Sequence, residues 1–108
     1  MTEIVDSHPN IFAEIGIAEP ETHMLKAKLV LEIMRFVRSR DLTQSAAGSL
    51  MGITQPEVSR LFRGHFRDYS VERLMGFLTA FDQDVEIVVR PREADSGRGQ
   101  ITFRPRAT

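Results

Sequence analysis

The chain is 108 residues long, the size of one domain, which excludes a second catalytic lobe. Hydrophobic residues make up 42% and charged residues 27%, the balance of a folded globular domain rather than a disordered one, and the absence of cysteine excludes a disulfide framework, a thiolate nucleophile and any cysteine-ligated metal or cluster. A net charge of −1 reads at first as unfavourable to a nucleic-acid partner.

Residues 1–20 carry one short apolar patch (Ile11, Phe12, Ile15, Ile17) among the breakers Pro9, Asn10, Gly16 and Pro20, and read as an N-terminal arm that packs on the rest. From Glu21 to Arg40 the apolar positions Leu25, Leu29, Val30, Ile33, Phe36 and Val37 recur at spacings of three and four, which predicts a helix. Thr22 is the expected N-cap, and Arg38 and Arg40 suit the negative end of the helix dipole. Leu31 and Met34 widen the stripe, either as a second contact surface such as a dimer face or, for Met34, as irregular core filler.

Two short helices follow, Thr43–Met51 and Gln55–Arg63, separated by Gly52-Ile53-Thr54. Gly52 suits the left-handed residue that closes the first. Thr54-Gln55-Pro56-Glu57 reads as a capping box opening the second, with Pro56 in the first turn, and Gly64 ends it. A further helix is expected over Ser70–Phe81, capped by Ser70, with Leu74, Phe77, Leu78 and Phe81 inward. Val85–Arg90 is β-branched and stopped by Pro91, which predicts a strand, and Gln100–Arg104 offers a second. The expected organisation is an arm over 1–20, a domain with its closing strand over 21–91 and a loose tail over 92–108. The expected fold is mainly α, a bundle of four to five helices with a C-terminal β-strand.

Two short helices joined at a glycine are the layout of a helix-turn-helix. With Gln44 as the first position of the unit, Gly48 falls fifth, where only a small side chain lets the helices approach, and Gly52 falls ninth, at the turn. Met51, Ile53, Val58 and Leu61 fall on inward positions. Rotation by about 100° per residue puts Val58, Leu61 and Phe62 on one side of the second helix and Gln55, Pro56, Ser59, Arg60 and Arg63 on the other. Those polar groups match base edges in the major groove, Arg with guanine, Gln with adenine and Ser with either. Thr43 and Gln44, opening the preceding helix, are placed for phosphate oxygens. A merely solvated face is the alternative.

The charge pattern agrees with that placement. Residues 1–24 hold five acids and no Lys or Arg, whereas residues 25–63 hold seven Lys and Arg against three acids. His65 and Arg67, just beyond, are either phosphate neighbours or loop residues.

The stretch LTQSAAGSLMGITQPEVSRLFRG, Leu42–Gly64, resembles the XRE/Cro-type (lambda-repressor-like) helix-turn-helix family, in its Thr-Gln opening, its Gly-Ile-Thr turn and its Val-Ser-Arg recognition helix. The resemblance extends over about Asn10–Pro91, through Asn10–Gly16, Ser70–Met75 and Gln83–Ile87, to small single-domain proteins that include HigA-type antitoxins. It implies a DNA-contacting set of Gln44, Thr54, Gln55, Ser59, Arg60 and Arg63, and a homodimer that binds a palindromic operator and represses, often its own operon, with a RelE/HigB-like toxin as a partner in the antitoxin case. Ala47 sits where a larger Leu is common and Gly48 where Ala is usual, departures expected to thin the packing of that helix. The dimer surface is expected on the strand Val85–Arg90, on the arm or on the first helix.

Catalysis is not expected. His8, His23 and His65 are far apart, Asp82 and Asp84 read as a turn, and no glycine-rich phosphate loop or nucleophile elbow occurs, so neither metal nor cofactor is expected. A protein-interaction module that neutralises a small basic toxin through the acidic first 24 residues is the rival reading. No apolar run approaches the ~18–20 residues that span a bilayer, and Thr2, Glu3 and Asp6 are not the basic start of a signal peptide, so a cytoplasmic location is expected.

Overall fold

The computed structural model describes residues 19–93 and 97–106, in which four helices form: α1 (Glu19–Ser39), α2 (Gln44–Met51), α3 (Gln55–Phe62) and α4 (Val71–Ala80). α1 starts earlier than its apolar period suggests, and Thr22 lies inside it rather than at its cap. Pro20 sits in the first turn, where its ring pre-sets a helical φ and its missing N–H costs no hydrogen bond, and Glu19 and Glu21 favour the positive end of the dipole. That proline therefore helps open the helix. The arm expected over residues 1–20 lies, as far as residue 18, outside the described residues.

The apolar stripe of α1 forms one wall of the core, with Leu29, Val30, Ile33, Phe36 and Val37 all buried. It packs along α4, whose Leu74, Phe77 and Leu78 face it, and against α3 through Val58 and Leu61. α2 lies on α3 and contributes the buried Ala47 and Met51. Met34 packs on this core as filler, whereas Leu31 stays 64% exposed.

The four helices end in the same way. The residues after them, Asp41 (φ 54°), Gly52 (φ 78°), Gly64 (φ 101°) and Asp82 (φ 63°), all turn left-handed. The next N–H then reaches back five residues to an unpaired helical carbonyl: Leu42 to Val37, Ile53 to Gly48, His65 to Arg60 and Gln83 to Leu78, at 3.0–3.3 Å. Asp tolerates this conformation better than most side chains, which accounts for the two ends without glycine.

Gly48 does not loosen α2. A Cβ built on it would lie 2.5 Å from the carbonyl oxygen of Ile53 and 3.3 Å from Cγ2 of Val58, so the missing side chain is the reason the two helices meet so closely. The expectation of thinned packing is corrected at this position.

The C-terminal strand is also corrected. Val85–Arg90 is not strand, and among the described residues it makes no backbone hydrogen bond; nor is Gln100–Arg104 a strand. β-branched residues suit a pleated, half-buried surface, but a strand exists only once a second strand satisfies its backbone. Ile87, Val88 and Val89 are 73%, 69% and 92% exposed. Beyond them, Phe103 returns to pack against the core.

Two glycine-to-alanine changes should move stability in opposite directions. Gly48→Ala forces backbone apart and should cost about 1–3 kcal/mol despite the better helix propensity. Gly76→Ala, inside α4 with nothing within 4 Å of the added carbon, should gain about 0.5–1 kcal/mol. Urea unfolding midpoints of the two variants measure both signs.

Candidate nucleic-acid interface

The two short helices are fixed at their starts by side-chain caps. The Thr43 hydroxyl accepts from the Ala46 N–H at 3.0 Å, ahead of α2. At α3 both halves of the capping box form: the Glu57 N–H donates to Thr54 Oγ1 at 3.3 Å, and the Thr54 N–H donates to Glu57 Oε1 at 2.9 Å. The Thr54 hydroxyl also donates to Glu57 Oε1, at 2.9 Å. These bonds, the backbone ones first, hold the Glu57 carboxyl below the usual carboxylate range.

α3 divides into two faces, as its 100° rotation predicts. Val58 and Leu61 are fully buried and Phe62 is half-buried against the core. Gln55, Pro56, Arg60 and Arg63 are exposed and Ser59 is half-buried. The structure brings the helix starts together: Gln55 Nε2 donates to Gln44 Oε1 at 2.8 Å, linking α2 to α3. Gln55 keeps its Oε1 and a second N–H, one acceptor and one donor side by side.

The arginines separate by what they touch. Arg35 pairs with Glu32 at 2.6 Å and lies over the Phe36 ring. Arg40 donates to the Phe81 carbonyl at 2.6 Å and pairs with Asp82 at 3.3 Å. Arg73 lies over Tyr69 and Phe77. Arg60 and Arg63, by contrast, have exposed side chains with no hydrogen-bond or ion-pair partner among the described residues.

The loop after α3 is pinned from α1, an arrangement the sequence reading missed. Phe66 is buried, and its ring stacks on His23 at 5.0 Å. Lys26 is buried, and its Nζ donates to the Arg67 carbonyl at 2.9 Å, across 41 residues. Burial, the largest influence, pushes its pKa below the usual lysine value. The signal was present: Lys26 precedes Leu29, Val30 and Ile33 at helical spacing, so it lies on the apolar stripe. The side chains of His65 and Arg67 are exposed. Among the described residues no group of three His, Asp or Glu could hold a metal ion, and no helix is long and apolar enough to cross a membrane.

Two capped helices locked at a left-handed glycine, the second presenting an unoccupied polar face, define a helix-turn-helix protein, the class whose members are DNA-binding transcriptional regulators. The chain belongs to the family described as "Helix-turn-helix domain", whose pattern matches residues 11–90, and it is of the XRE type. A solved structure named "Putative XRE Family Transcriptional Regulator" is 36% identical, with a TM-score of 0.75 over 80% of this chain and 97% of that one. No curated protein matches the sequence.

The acid limb of stability follows from Glu57. Its folded pKa lies below the unfolded value, so its contribution is complete above the ordinary carboxylate pKa and is lost as pH falls through the lower folded value. Chemical denaturation repeated from neutral pH down to about pH 3 should show Glu57→Gln losing less stability on acidification than the parent. An identical pH dependence in the two proteins would refute this role for Glu57.

Proposed function

We propose that this protein is a sequence-specific repressor that binds double-stranded DNA as a dimer, each copy placing α3 in the major groove of one half of a palindromic operator. The observation that carries the reading is the outward face of α3, where Gln55, Ser59, Arg60 and Arg63 stand on a helix fixed at both ends. Arg60 and Arg63 offer the paired N–H groups that take guanine O6 and N7, and the free donor and acceptor of Gln55 match adenine N7 and N6. Gln44 orients Gln55 through the 2.8 Å amide bond and, with Thr43 and the first N–H groups of α2, faces phosphate oxygens. Thr54 belongs to the same set by position, but its hydroxyl hydrogen is held by Glu57, so a bond to a phosphate oxygen would require the capping box to release it. A single short helix reaches only a few base pairs, and two copies about one helical turn apart multiply that specificity.

A role as the antitoxin of a toxin–antitoxin pair, on the pattern of HigA-type proteins, is compatible with this reading and is supported by the five acids among residues 1–24, which suit a basic partner. If a small basic ribonuclease is encoded beside the gene, co-expression of this chain should relieve its growth arrest, and failure to do so would remove that role. Without such a neighbour the protein acts as a stand-alone regulator.

The reading is tested by selecting bound duplexes from a random pool and measuring the affinity of the enriched sequence against salt. An operator with two-fold symmetry should emerge. Replacing Arg60 and Arg63 by Ala should cost about 1–3 kcal/mol for each arginine–guanine pairing removed and relax selection at those base pairs. No enriched sequence, or unchanged affinity and salt slope in the double variant, would overturn the assignment.

A further inference from the structure

The segment 85–90 leaves α4 through the left-handed turn at Asp82 and runs with its β-branched side chains exposed on both sides, Ile87 at 73% and Val88 at 69%. No backbone hydrogen bond joins it to another described residue. An apolar extended segment with an unsatisfied backbone is the edge that soluble proteins cover, because it otherwise pairs at random. Its sequence, Val-Glu-Ile-Val-Val-Arg, decides what covers it.

In an antiparallel pair of identical segments about a two-fold axis through Val88, each residue faces one that lies as far beyond Val88 as it lies before. Glu86 then faces Arg90 of the second copy, and Arg90 faces its Glu86. Ile87 faces Val89 in both directions, and Val88 meets itself. The pairs alternate between faces, leaving Val85, Ile87 and Val89 of both copies on one apolar side and the two Glu–Arg pairs on the other. Slipping the axis by half a residue, to between Ile87 and Val88, sets Glu86 against Val89 and Arg90 against Val85, so neither charged pair forms. Register is therefore specified by charge as well as by the apolar pattern. Val85, at 37%, is the most sheltered of the segment's exposed apolar residues, which marks its face as the one turned toward the helices.

We propose that Val85–Arg90 pairs antiparallel with the same segment of a second copy, centred on Val88, and that this two-stranded seam joins the dimer. The proposal rests on the two-copy reading above and supplies the surface it requires. The sequence expectation of a strand is thereby met between chains, although it fails within one.

Charge reversal tests partner and register together, on the full chain without DNA. Sedimentation of the parent across micromolar concentrations should show a dimer. Glu86→Arg alone sets like charges opposite each other twice, as does Arg90→Glu alone, and each should raise the dissociation constant about tenfold or more while helical circular dichroism stays unchanged. An equimolar mixture of the two single variants restores both opposite-charge pairs and should dimerise like the parent, and the double variant should do the same. A monomeric parent, single variants that dimerise undiminished, or single-variant defects that neither the mixture nor the double variant repairs would each overturn the proposal. A seam that passes this test in a protein that enriches no duplex would leave the inference standing and remove the repressor reading. An enriched operator with a failed seam would do the reverse.

Discussion

The missing side chain at Gly48 is the constraint on which the rest of the structure depends. With only hydrogen there, α2 approaches the Ile53 carbonyl so closely that a Cβ would sit 2.5 Å from it. The turn then follows in a fixed order: Gly52 goes left-handed, Ile53 is buried, and Thr54 arrives in the extended conformation from which it caps α3. Because α3 begins at that point, Gln55 falls within 2.8 Å of Gln44 and Val58 becomes fully buried beside Gly48. Burying Val58 and Leu61 leaves the opposite face, with Gln55, Arg60 and Arg63, to the solvent. The direction of the candidate DNA-reading surface is thus settled by packing on its reverse side.

α1 acts as a strut that carries this unit. Its two long cations each reach 41 residues along the chain to a main-chain carbonyl, Lys26 to Arg67 beyond α3 and Arg40 to Phe81 beyond α4. Each satisfies a group in a segment where helical hydrogen bonding has stopped, while the side-chain stem lies along apolar surface. Several basic residues of the central block therefore have structural duties, and the excess of positive charge presented to solvent is smaller than the composition suggests. On the proposed reading, phosphate-driven non-specific affinity is correspondingly modest, and recognition leans on base contacts and on the spacing of two copies.

Much of this was legible in the sequence because its causes are local. The capping box at Thr54 and Glu57, the left-handed turn at Gly52 and the two faces of α3 each depend on residues within one or two helical turns. Three features were not legible for the opposite reason. Pro20 has the same composition signal whether it breaks a chain or opens a helix, and only the hydrogen bonds downstream decide. Asp41 and Asp82 adopt the left-handed role usually given to glycine, and the tertiary position of the helix they close makes that cost worthwhile. Val85–Arg90 carries a strand pattern whose partner is not found among the described residues of the same chain, and single-chain pairing could not be read from it. Lys26 is an intermediate case, since its place on an apolar stripe was visible while its acceptor, the Arg67 carbonyl, was not.

The central claim, that the solvent face of α3 reads duplex DNA, is tested most directly by following backbone and side-chain resonances of the full chain during titration with an operator duplex. The account predicts that the largest shifts fall on Gln55, Ser59, Arg60 and Arg63, with smaller ones at Thr43 and Gln44, and that the buried Val58 and Leu61 move little. Shifts concentrated on the outer face of α1, around Leu31 and Arg35, with α3 undisturbed, would contradict it.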